Sequence, residues 1–358
     1  MRPLRNGPWF DTRPGDAVRR AIVPIVLLIV AGAGLATFFA LRASPEPVTS
    51  TYFLMDTVLT VKTTGADAAA INEHLHALAV GVDNMTSYYT AGSETVRVNA
   101  AAGKGPVSVS PEYAALLKTA VAVEAIDQGR TFDIAISPVS SLWGFTTKDF
   151  RIPSAKEISD TLAYSHSDQL VLSDTTVQLR DSRSRIDLGG IAKGYSLDIM
   201  EEYLKTVTPQ PQQVIVDFGG NLLLYSGGRK HDWKIGIRDP RGQGIIGYVR
   251  SGDAFVATSG DYQRYFERDG RRYCHIIDPS TGYPGTLNQS ATVITDIQPM
   301  HGAIGDALGK VFFCSSAETQ RSLFQTVEGQ GIVGIVLVDA AGTQSTLGPI
   351  NFVPTAAQ

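Results

Sequence analysis

The pattern of apolar and polar positions divides the chain into an N-terminal apolar segment and a folded domain that begins near Thr51. Residues 51–64 alternate apolar and polar side chains, which predicts a β-strand. Helical periodicity over residues 66–85 and 111–128 predicts two helices. Residues 186–205 read as a glycine turn that leads into a third helix. The first half of the domain is therefore expected to be rich in helices.

The second half of the domain consists of short apolar runs bounded by turn residues, which is typical of β-strands. Seven such runs are QVIVDFGG, LLLYSG, WKIGI, GIIGYVR, DAFVATSG, RRYCHIID and SATVITD. A further helix is expected over residues 301–315, and GIVGIVLVDAAG predicts a late strand. Because the strands cluster apart from the helices instead of alternating with them, the pattern predicts an α+β fold.

Residues 21–41 form an apolar run without a charged side chain. As a helix this run would be about 31 Å long, which matches the hydrocarbon thickness of a bilayer. Only one arginine, Arg42, follows the run closely. Five arginines precede it: Arg2, Arg5, Arg13, Arg19 and Arg20. By the positive-inside rule, the short N-terminus is cytoplasmic and the folded domain lies outside.

A cleaved signal peptide is the alternative interpretation of this segment. The apolar run is longer than a usual signal sequence, and residues 41–43 (Leu-Arg-Ala) are a poor cleavage site. We therefore predict a cytoplasmic segment (1–20), a single-pass anchor in the plasma (inner) membrane (21–41) and a linker (42–50). Residues 51–358 then form a domain on the extracytoplasmic side.

Composition and charge exclude several classes of function. The chain has 358 residues, of which 31 are Lys or Arg and 35 are Asp or Glu, so its net charge of −4 argues against a nucleic-acid partner. Two cysteines are too few for a disulfide scaffold or a cysteine-based zinc site. Two GxGxxG matches, at 242–247 and 329–334, run on into strand-like sequence, so they do not fit a Rossmann fold.

Two segments carry candidate chemistry. IDLGGIAKGYS (186–196) places two glycines and Lys193 at the start of a helix, where backbone amides and a positive charge can hold a phosphate or diphosphate. CHIIDPSTGYPG (274–285) places His275 at a strand end close to Asp278, where an imidazole beside a carboxylate can take up a proton. Taken singly, each segment is also compatible with a structural role, as an ordinary helix entry or as a hairpin.

Together with their neighbours, these segments resemble the ApbE-type FAD:protein FMN transferases. Members of that family attach FMN through a phosphoester to a Ser or Thr of a partner protein. The resemblance extends over residues 52–337. The segments that carry it occur in family order: FLMDT (53–57), MTSYY (85–89), SETVRVN (93–99), GRTFDIAISPVSSLWGF (129–145), IDLGGIAKGYSLD (186–198), VDFGGN (216–221), WKIGIRDP (233–240), ATSGDYQRYF (257–266), HIIDPSTGYP (275–284) and GDALGK (305–310).

The resemblance implies a mixed domain with antiparallel-rich sheets, flanking helices and a set of site residues. His275 corresponds to the proposed catalytic histidine, Gly190 to a carbonyl ligand of Mg²⁺, and Asp306 to a metal-ligating aspartate. The positions expected to contact FAD are Met55, Tyr88 or Tyr89, Thr131, Phe132, Asp133, Asp187, Lys193 and Ile276. A one-residue insertion leaves the choice between the two tyrosines open.

The chain departs from the family at Lys310, where the family has a threonine that ligates the metal. An ammonium group cannot ligate Mg²⁺. Lys310 could replace the metal as a catalytic clamp on the diphosphate, or mark a member that binds flavin without turnover. It could also form a surface ion pair with Asp306, one helical turn earlier.

The resemblance implies that FAD is a substrate and that an acceptor flavoprotein with a Ser or Thr modification site is the partner. His275, assisted by Asp278, would take the proton of the acceptor hydroxyl, and AMP would leave. Two alternatives stay open: a pyrophosphatase that converts FAD to FMN and AMP, and a non-catalytic FAD-binding protein. The sequence leaves open whether Cys274 and Cys314 form a disulfide.

Overall fold

The computed structural model describes residues 46–355. It contains eighteen strands within these residues: β1 (Val48–Leu54), β2 (Thr57–Thr64), β3 (Val107–Ser108), β4 (Leu170–Leu172), β5 (Thr176–Leu179), β6 (Gln213–Phe218), β7 (Asn221–Tyr225), β8 (Trp233–Arg238), β9 (Ile245–Ser251), β10 (Ala254–Gly260), β11 (Tyr265–Arg268), β12 (Arg271–Cys274), β13 (Ile277–Asp278), β14 (Tyr283–Pro284), β15 (Asn288–Thr295), β16 (Ile332–Asp339), β17 (Gln344–Leu347) and β18 (Val353–Pro354).

The same residues contain eight α-helices: α1 (Ala68–Thr86), α2 (Glu94–Ala100), α3 (Pro111–Glu124), α4 (Ser137–Leu142), α5 (Ala155–Leu162), α6 (Ala192–Thr206), α7 (His301–Cys314) and α8 (Ala317–Val327). Serines at the N-caps of α2, α3, α5 and α8 each accept a hydrogen bond from the first turn of the helix, which explains where these helices begin.

An eight-stranded antiparallel sheet forms the centre of the domain, in the order β1-β2-β6-β7-β10-β15-β16-β17. Two three-stranded sheets, β3-β5-β4 and β18-β9-β8, and two short hairpins complete the β structure of residues 46–355. All eight residues of β15 are buried, because α7 packs against one face of this strand and the β18-β9-β8 sheet against the other. The α+β fold with antiparallel sheets is confirmed.

Helices α6 and α7 cross at two glycines, and this contact positions the site. A Cβ atom at Gly194 would overlap the carbonyl oxygen of Gly302, so only glycine permits the observed distance between the two helices. The carboxylate of Asp198 on α6 accepts hydrogen bonds from the backbone of Gly302 and Ala303, each at 2.8 Å, and thereby caps α7. Asp306 is consequently held beside the first turn of α6.

The prediction of a single strand over residues 51–64 is wrong, because this segment forms part of the β1–β2 hairpin. Met55 and Asp56 form its turn with φ values of 49° and 59°. Two consecutive left-handed residues match the twist of a tight hairpin, but the sequence lacks the Asn-Gly or Asp-Gly pair that usually predicts one. Strand β1 also begins at Val48, within the predicted linker.

The predicted run RRYCHIID is interrupted, since β12 ends at Cys274 and β13 begins at Ile277. Both cysteines are buried free thiols. None of the helices in residues 46–355 is both long and apolar enough to cross a bilayer. The predicted anchor at 21–41 lies outside the described residues.

Candidate active site

A cavity of about 910 Å³ lies beside the central sheet and is lined by segments far apart in sequence. Its volume is at the upper end of the range of small-molecule sites. Thirteen of the fourteen predicted site residues line this cavity: Met55, Tyr88, Tyr89, Thr131, Phe132, Asp133, Asp187, Gly190, Lys193, His275, Ile276, Asp306 and Lys310. The fold therefore brings together nearly the whole set expected from the sequence.

The glycine loop before α6 forms one wall of the cavity. The amide of Gly189 donates to the Asp187 carboxylate at 2.8 Å, which fixes the turn. A Cβ atom at Gly190 would lie 3.0 Å from the ring of Phe132 and 3.8 Å from Cε of Lys310, so the backbone approaches both side chains closely. Burial raises the pKa of Asp187, although the charges of Arg264 and Lys193 oppose the shift.

Asp306 and Lys310 form an ion pair within α7 that faces the cavity. Only 1% of the Asp306 side chain and 15% of the Lys310 side chain are exposed, which excludes the alternative of a surface ion pair. The ammonium group contacts Oδ1 of Asp306 and donates to the Asp306 carbonyl at 2.8 Å. Burial lowers the pKa of Lys310 to about 8, although Asp306 opposes the shift.

The residues present do not fit the magnesium site that the family implies. Oδ1 of Asp306 pairs with Lys310, and Oδ2 accepts the amide of Gly194 at 3.0 Å, so both carboxylate oxygens are engaged. Burial would raise the pKa of Asp306, but the charges of Lys193 and Lys310 lower it overall. Residues 46–355 contain no group of three or more His, Cys, Asp or Glu side chains placed to hold a metal ion.

His275 lies between β12 and β13 with its ring at the cavity wall. Its Nδ1 atom is 3.2 Å from the carbonyl oxygen of Arg264. A carbonyl oxygen can only accept, so in this contact Nδ1 carries the proton and Nε2 has a lone pair. Burial, reinforced by the charges of Arg264, Lys193 and Lys310, lowers the pKa of His275 to about 3. The imidazole is thus neutral at pH 7, with its lone pair on Nε2.

Asp278 does not form the contact with His275 that the sequence suggested. Its carboxylate accepts hydrogen bonds from the backbone amide and hydroxyl of Ser280, at 2.8 and 2.6 Å, and stabilises the turn before β14. Asp278 is also the one predicted site residue that does not line the cavity. The partner of the imidazole is a backbone carbonyl instead.

The β1–β2 turn and the segment after α1 form a further part of the cavity rim. Asp56 lies 3.4 Å from the ammonium of Lys148 and 3.9 Å from the guanidinium of Arg264, the residue whose carbonyl contacts His275. Tyr88 and Tyr89 pack edge to face and both line the cavity. The choice between them as flavin contacts therefore stays open.

Buried acids support the loop of Thr131, Phe132 and Asp133. The Asp133 carboxylate accepts the amides of Ala135 at 2.7 Å and Ser167 at 3.0 Å, and the hydroxyl of Thr131 donates to Asp127. Beneath the loop, the carboxylate of Glu124 accepts the amide of Ile134 at 2.7 Å. Burial and the nearby Asp133 raise the pKa of Glu124 to about 8.

Comparison with known proteins identifies the family of this fold and site. The model of the ApbE family matches residues 55–333. The chain belongs to the ApbE family. A relative from Klebsiella pneumoniae, named FAD:protein FMN transferase, is 33% identical over 220 residues, covering 60% of this chain and 67% of the relative. A relative of the same name from Vibrio cholerae is 30% identical, covering 64% of this chain and 69% of the relative.

Solved structures of ApbE proteins have the same fold. The ApbE protein of Thermotoga maritima superposes with a TM-score of 0.77 at 28% identity, covering 84% of this chain and 96% of the other. The apo form of the Pseudomonas stutzeri flavinyl transferase ApbE gives 0.70 at 26% identity, covering 85% and 95%. The similarity therefore extends through nearly the whole length of these proteins.

This ApbE family member has further cavity residues that the sequence analysis did not single out. Arg264 contacts Asp56 and His275, and Asp56 forms half of the hairpin turn. A second part of the cavity is lined by Asp217, Gly219, Gly220, Arg238, Tyr262 and Gln263. The family segments FLMDT, VDFGGN and WKIGIRDP contain Asp56, Asp217, Gly219, Gly220 and Arg238. The segment ATSGDYQRYF contains Tyr262, Gln263 and Arg264. Their place in these segments is the sequence signal that could have identified them, although the resemblance as stated implies no role for these positions.

Proposed function

We propose that this chain transfers FMN from FAD to a Ser or Thr hydroxyl of an acceptor protein and releases AMP. Its relatives are named FAD:protein FMN transferases, and its cavity is large enough for a dinucleotide-sized ligand. The observation that carries the proposal is the imidazole of His275, oriented by the Arg264 carbonyl, in the same cavity as the glycine loop and two lysines. A base and a set of cations are what phosphoryl transfer from a diphosphate requires.

In the proposed reaction Nε2 of His275 takes the proton of the acceptor hydroxyl. The hydroxyl oxygen forms a bond to the FMN phosphorus, and the bond between this phosphorus and the bridging oxygen breaks. The electron pair stays on the AMP that leaves. A positioned general base contributes about 10²–10⁴-fold to such a step, and positioning of the diphosphate supplies much of the remainder.

We further propose that Lys310 provides positive charge where the family implies Mg²⁺. The Cε atom of Lys310 lies near Gly190, and its ammonium group pairs with the carboxylate of Asp306. Lys310 therefore lies beside both expected metal ligands. At an effective dielectric constant near 20, two opposite unit charges 4 Å apart attract each other by about 4 kcal/mol. One lysine supplies half the charge of Mg²⁺, and Lys193, a position that the family also uses to contact FAD, lines the same cavity.

We also propose that residues 21–41 anchor the protein in the plasma (inner) membrane, with the domain on the extracytoplasmic side. The support is the uncharged apolar run together with the arginines that precede it. An acceptor for this enzyme would then have its modification site outside the cytoplasm.

Incubation of the purified full chain with FAD and an unmodified acceptor tests the proposal. We expect a mass increase of the acceptor equal to FMN less water, with one AMP released for each FMN attached. Release of FMN and AMP without modification would indicate the pyrophosphatase instead. Tight FAD binding without either product would indicate the non-catalytic alternative, which Lys310 favours if it cannot replace a metal.

A further inference from the structure

The outward side chains of the β1–β2 hairpin are apolar beside its turn and polar farther along the two strands. Farther from the turn they are Thr49, Thr51, Thr60 and Lys62, of which Thr60 also lines the cavity. Beside the turn they are Phe53 and Val58, which lie directly opposite each other in the strand register. Of these two side chains, Phe53 is 72% exposed and Val58 is 48% exposed. We call this pair the hairpin patch.

Neither side chain of the hairpin patch belongs to an apolar core cluster of residues 46–355. In a strand with one buried face, apolar residues face inward and polar residues face outward in alternation. Four outward positions of the hairpin follow this rule: Thr49, Thr51, Thr60 and Lys62. The neighbouring residues Tyr52 and Leu54, on the opposite face of β1, pack against the core. Two large apolar side chains side by side in water, next to a cavity, are typical of a surface that binds another molecule.

The hairpin patch is continuous with the cavity mouth. Val58 is itself a cavity-lining residue, and so are Met55 and Asp56 in the turn. The carboxylate of Asp56 lies 3.9 Å from the guanidinium of Arg264, and the carbonyl of Arg264 contacts His275. The exposed ring of Tyr89, 64% accessible, lies on the same rim and is held by its hydroxyl on the carbonyl of Thr146 at 3.1 Å.

We propose that the hairpin patch is the docking surface for the acceptor protein, and that it binds an apolar side chain next to the acceptor hydroxyl. This inference rests on the proposed function, because a protein hydroxyl must come within about 3 Å of the base to lose its proton. A polypeptide that enters the cavity near His275 must cross the rim. Phe53 and Val58 are the apolar groups of the β1–β2 hairpin that it would meet there.

The test compares Phe53→Thr with the parent, using an acceptor from the source organism. The acceptor is the protein whose flavin fluorescence on a denaturing gel disappears when the gene for this chain is deleted, purified unmodified from the deletion strain. Phe53 lies outside the cavity lining, so the affinity for FAD should not change. We expect the KM for the acceptor to rise about tenfold or more, the effect of losing a buried aromatic contact.

Two matched variants control the experiment. Phe53→Leu keeps an apolar side chain and should keep most of the affinity for the acceptor. Val171→Thr removes an exposed apolar side chain (39% accessible) from β4, in another sheet, and should leave the KM unchanged. An unchanged KM in both Phe53→Thr and Val58→Thr would overturn the docking proposal.

Two further outcomes separate this inference from its alternatives. If deletion of the gene leaves every fluorescent band in place, the proposed function fails before the hairpin patch is tested by kinetics. The KM is also measured in detergent and in phosphatidylglycerol vesicles. A rise that occurs only in vesicles would mean that the hairpin patch contacts lipid, and it would overturn the assignment to the acceptor.

Discussion

The Nδ1 atom of His275 lies 3.2 Å from the carbonyl oxygen of Arg264. This contact assigns the proton to Nδ1 and leaves the Nε2 lone pair for an incoming hydroxyl. The same arginine approaches Asp56 through its guanidinium at 3.9 Å, so its backbone orients the base while its side chain contacts the rim. The base and the hairpin are therefore linked through one residue.

His275→Ala should lower the rate of FMN transfer by roughly 10²–10⁴ and leave the affinity for FAD nearly unchanged. The reason is that the imidazole acts on the hydroxyl and not on the bound dinucleotide. Transfer is followed by the mass of the acceptor, and binding is followed by calorimetry. His74→Ala, on the exposed face of α1, is the control. Transfer at the parental rate would show that His275 is only structural.

Lys310→Thr should make FAD binding dependent on Mg²⁺. The parent should bind FAD in the presence of a chelator, because Lys310 supplies charge without a metal. The variant should bind FAD about ten- to hundredfold more weakly in chelator, the effect of losing a hydrogen bond from a charged group. Added Mg²⁺ should restore it, since Asp306 regains a free oxygen. Calorimetry measures both conditions.

The control for this experiment is Lys156→Thr, which removes a lysine from a comparable i,i+4 ion pair with Asp160 on the surface. It should bind FAD like the parent with and without metal. If the parent already requires Mg²⁺ and Lys310→Thr behaves identically, the proposed replacement of the metal by Lys310 is wrong.

Gly194→Ala should destabilise the domain by about 3 kcal/mol, because the new methyl group would overlap the backbone of α7 at Gly302. Gly81→Ala is the matched control, since Gly81 lies in α1 with no atom within 4 Å of the added methyl group. That substitution should stabilise the domain by about 0.5–1 kcal/mol. Urea unfolding measures both. Equal stability of the two variants would contradict the close helix crossing.

Glu124→Gln should change how stability depends on pH. The pKa of Glu124 is raised from its ordinary value of 4.5 to about 8, so between these values the folded state keeps a proton that the unfolded state releases. The contribution of Glu124 to stability therefore falls as the pH rises from about 5 to 8. Glutamine cannot ionise, so at pH 8 the free energy of unfolding of the variant should exceed that of the parent by about 1–3 kcal/mol.

Thermal unfolding at pH 5, 6.5 and 8 measures this difference, with Glu112→Gln on the exposed side of the same helix as the control. A constant difference between Glu124→Gln and the parent across these pH values would show that Glu124 is ionised throughout. The prediction of a raised pKa would then be wrong.

The proposed topology predicts that protease added to intact spheroplasts digests the domain. The arginines before residues 21–41 should retain the N-terminus in the cytoplasm, which leaves the domain accessible from outside. Immunoblotting against the domain follows the digestion, and a cytoplasmic protein is the control for intact cells. Full protection of the domain would contradict the proposed orientation.

Much of the site could be predicted from the sequence, because its chemistry lies in short segments. The glycine loop and Lys193 are adjacent in the chain, so their spacing alone places them at the start of a helix. The i,i+4 spacing likewise predicted that Asp306 and Lys310 could pair. Local geometry follows from local sequence, since backbone hydrogen bonds within a helix connect residues four apart.

Only the tertiary structure decided which of these groups meet and how far they are buried. The spacing of Asp306 and Lys310 is equally compatible with a surface pair, and the crossing of α6 and α7 at Gly194 is what buries it. His275 precedes Asp278 by three residues, yet its partner is a carbonyl eleven residues earlier, because the β11–β12 hairpin returns the chain to Arg264. Burial and pairing across such distances depend on strand register and helix packing, which combine contacts from the whole domain and are not encoded in any one segment.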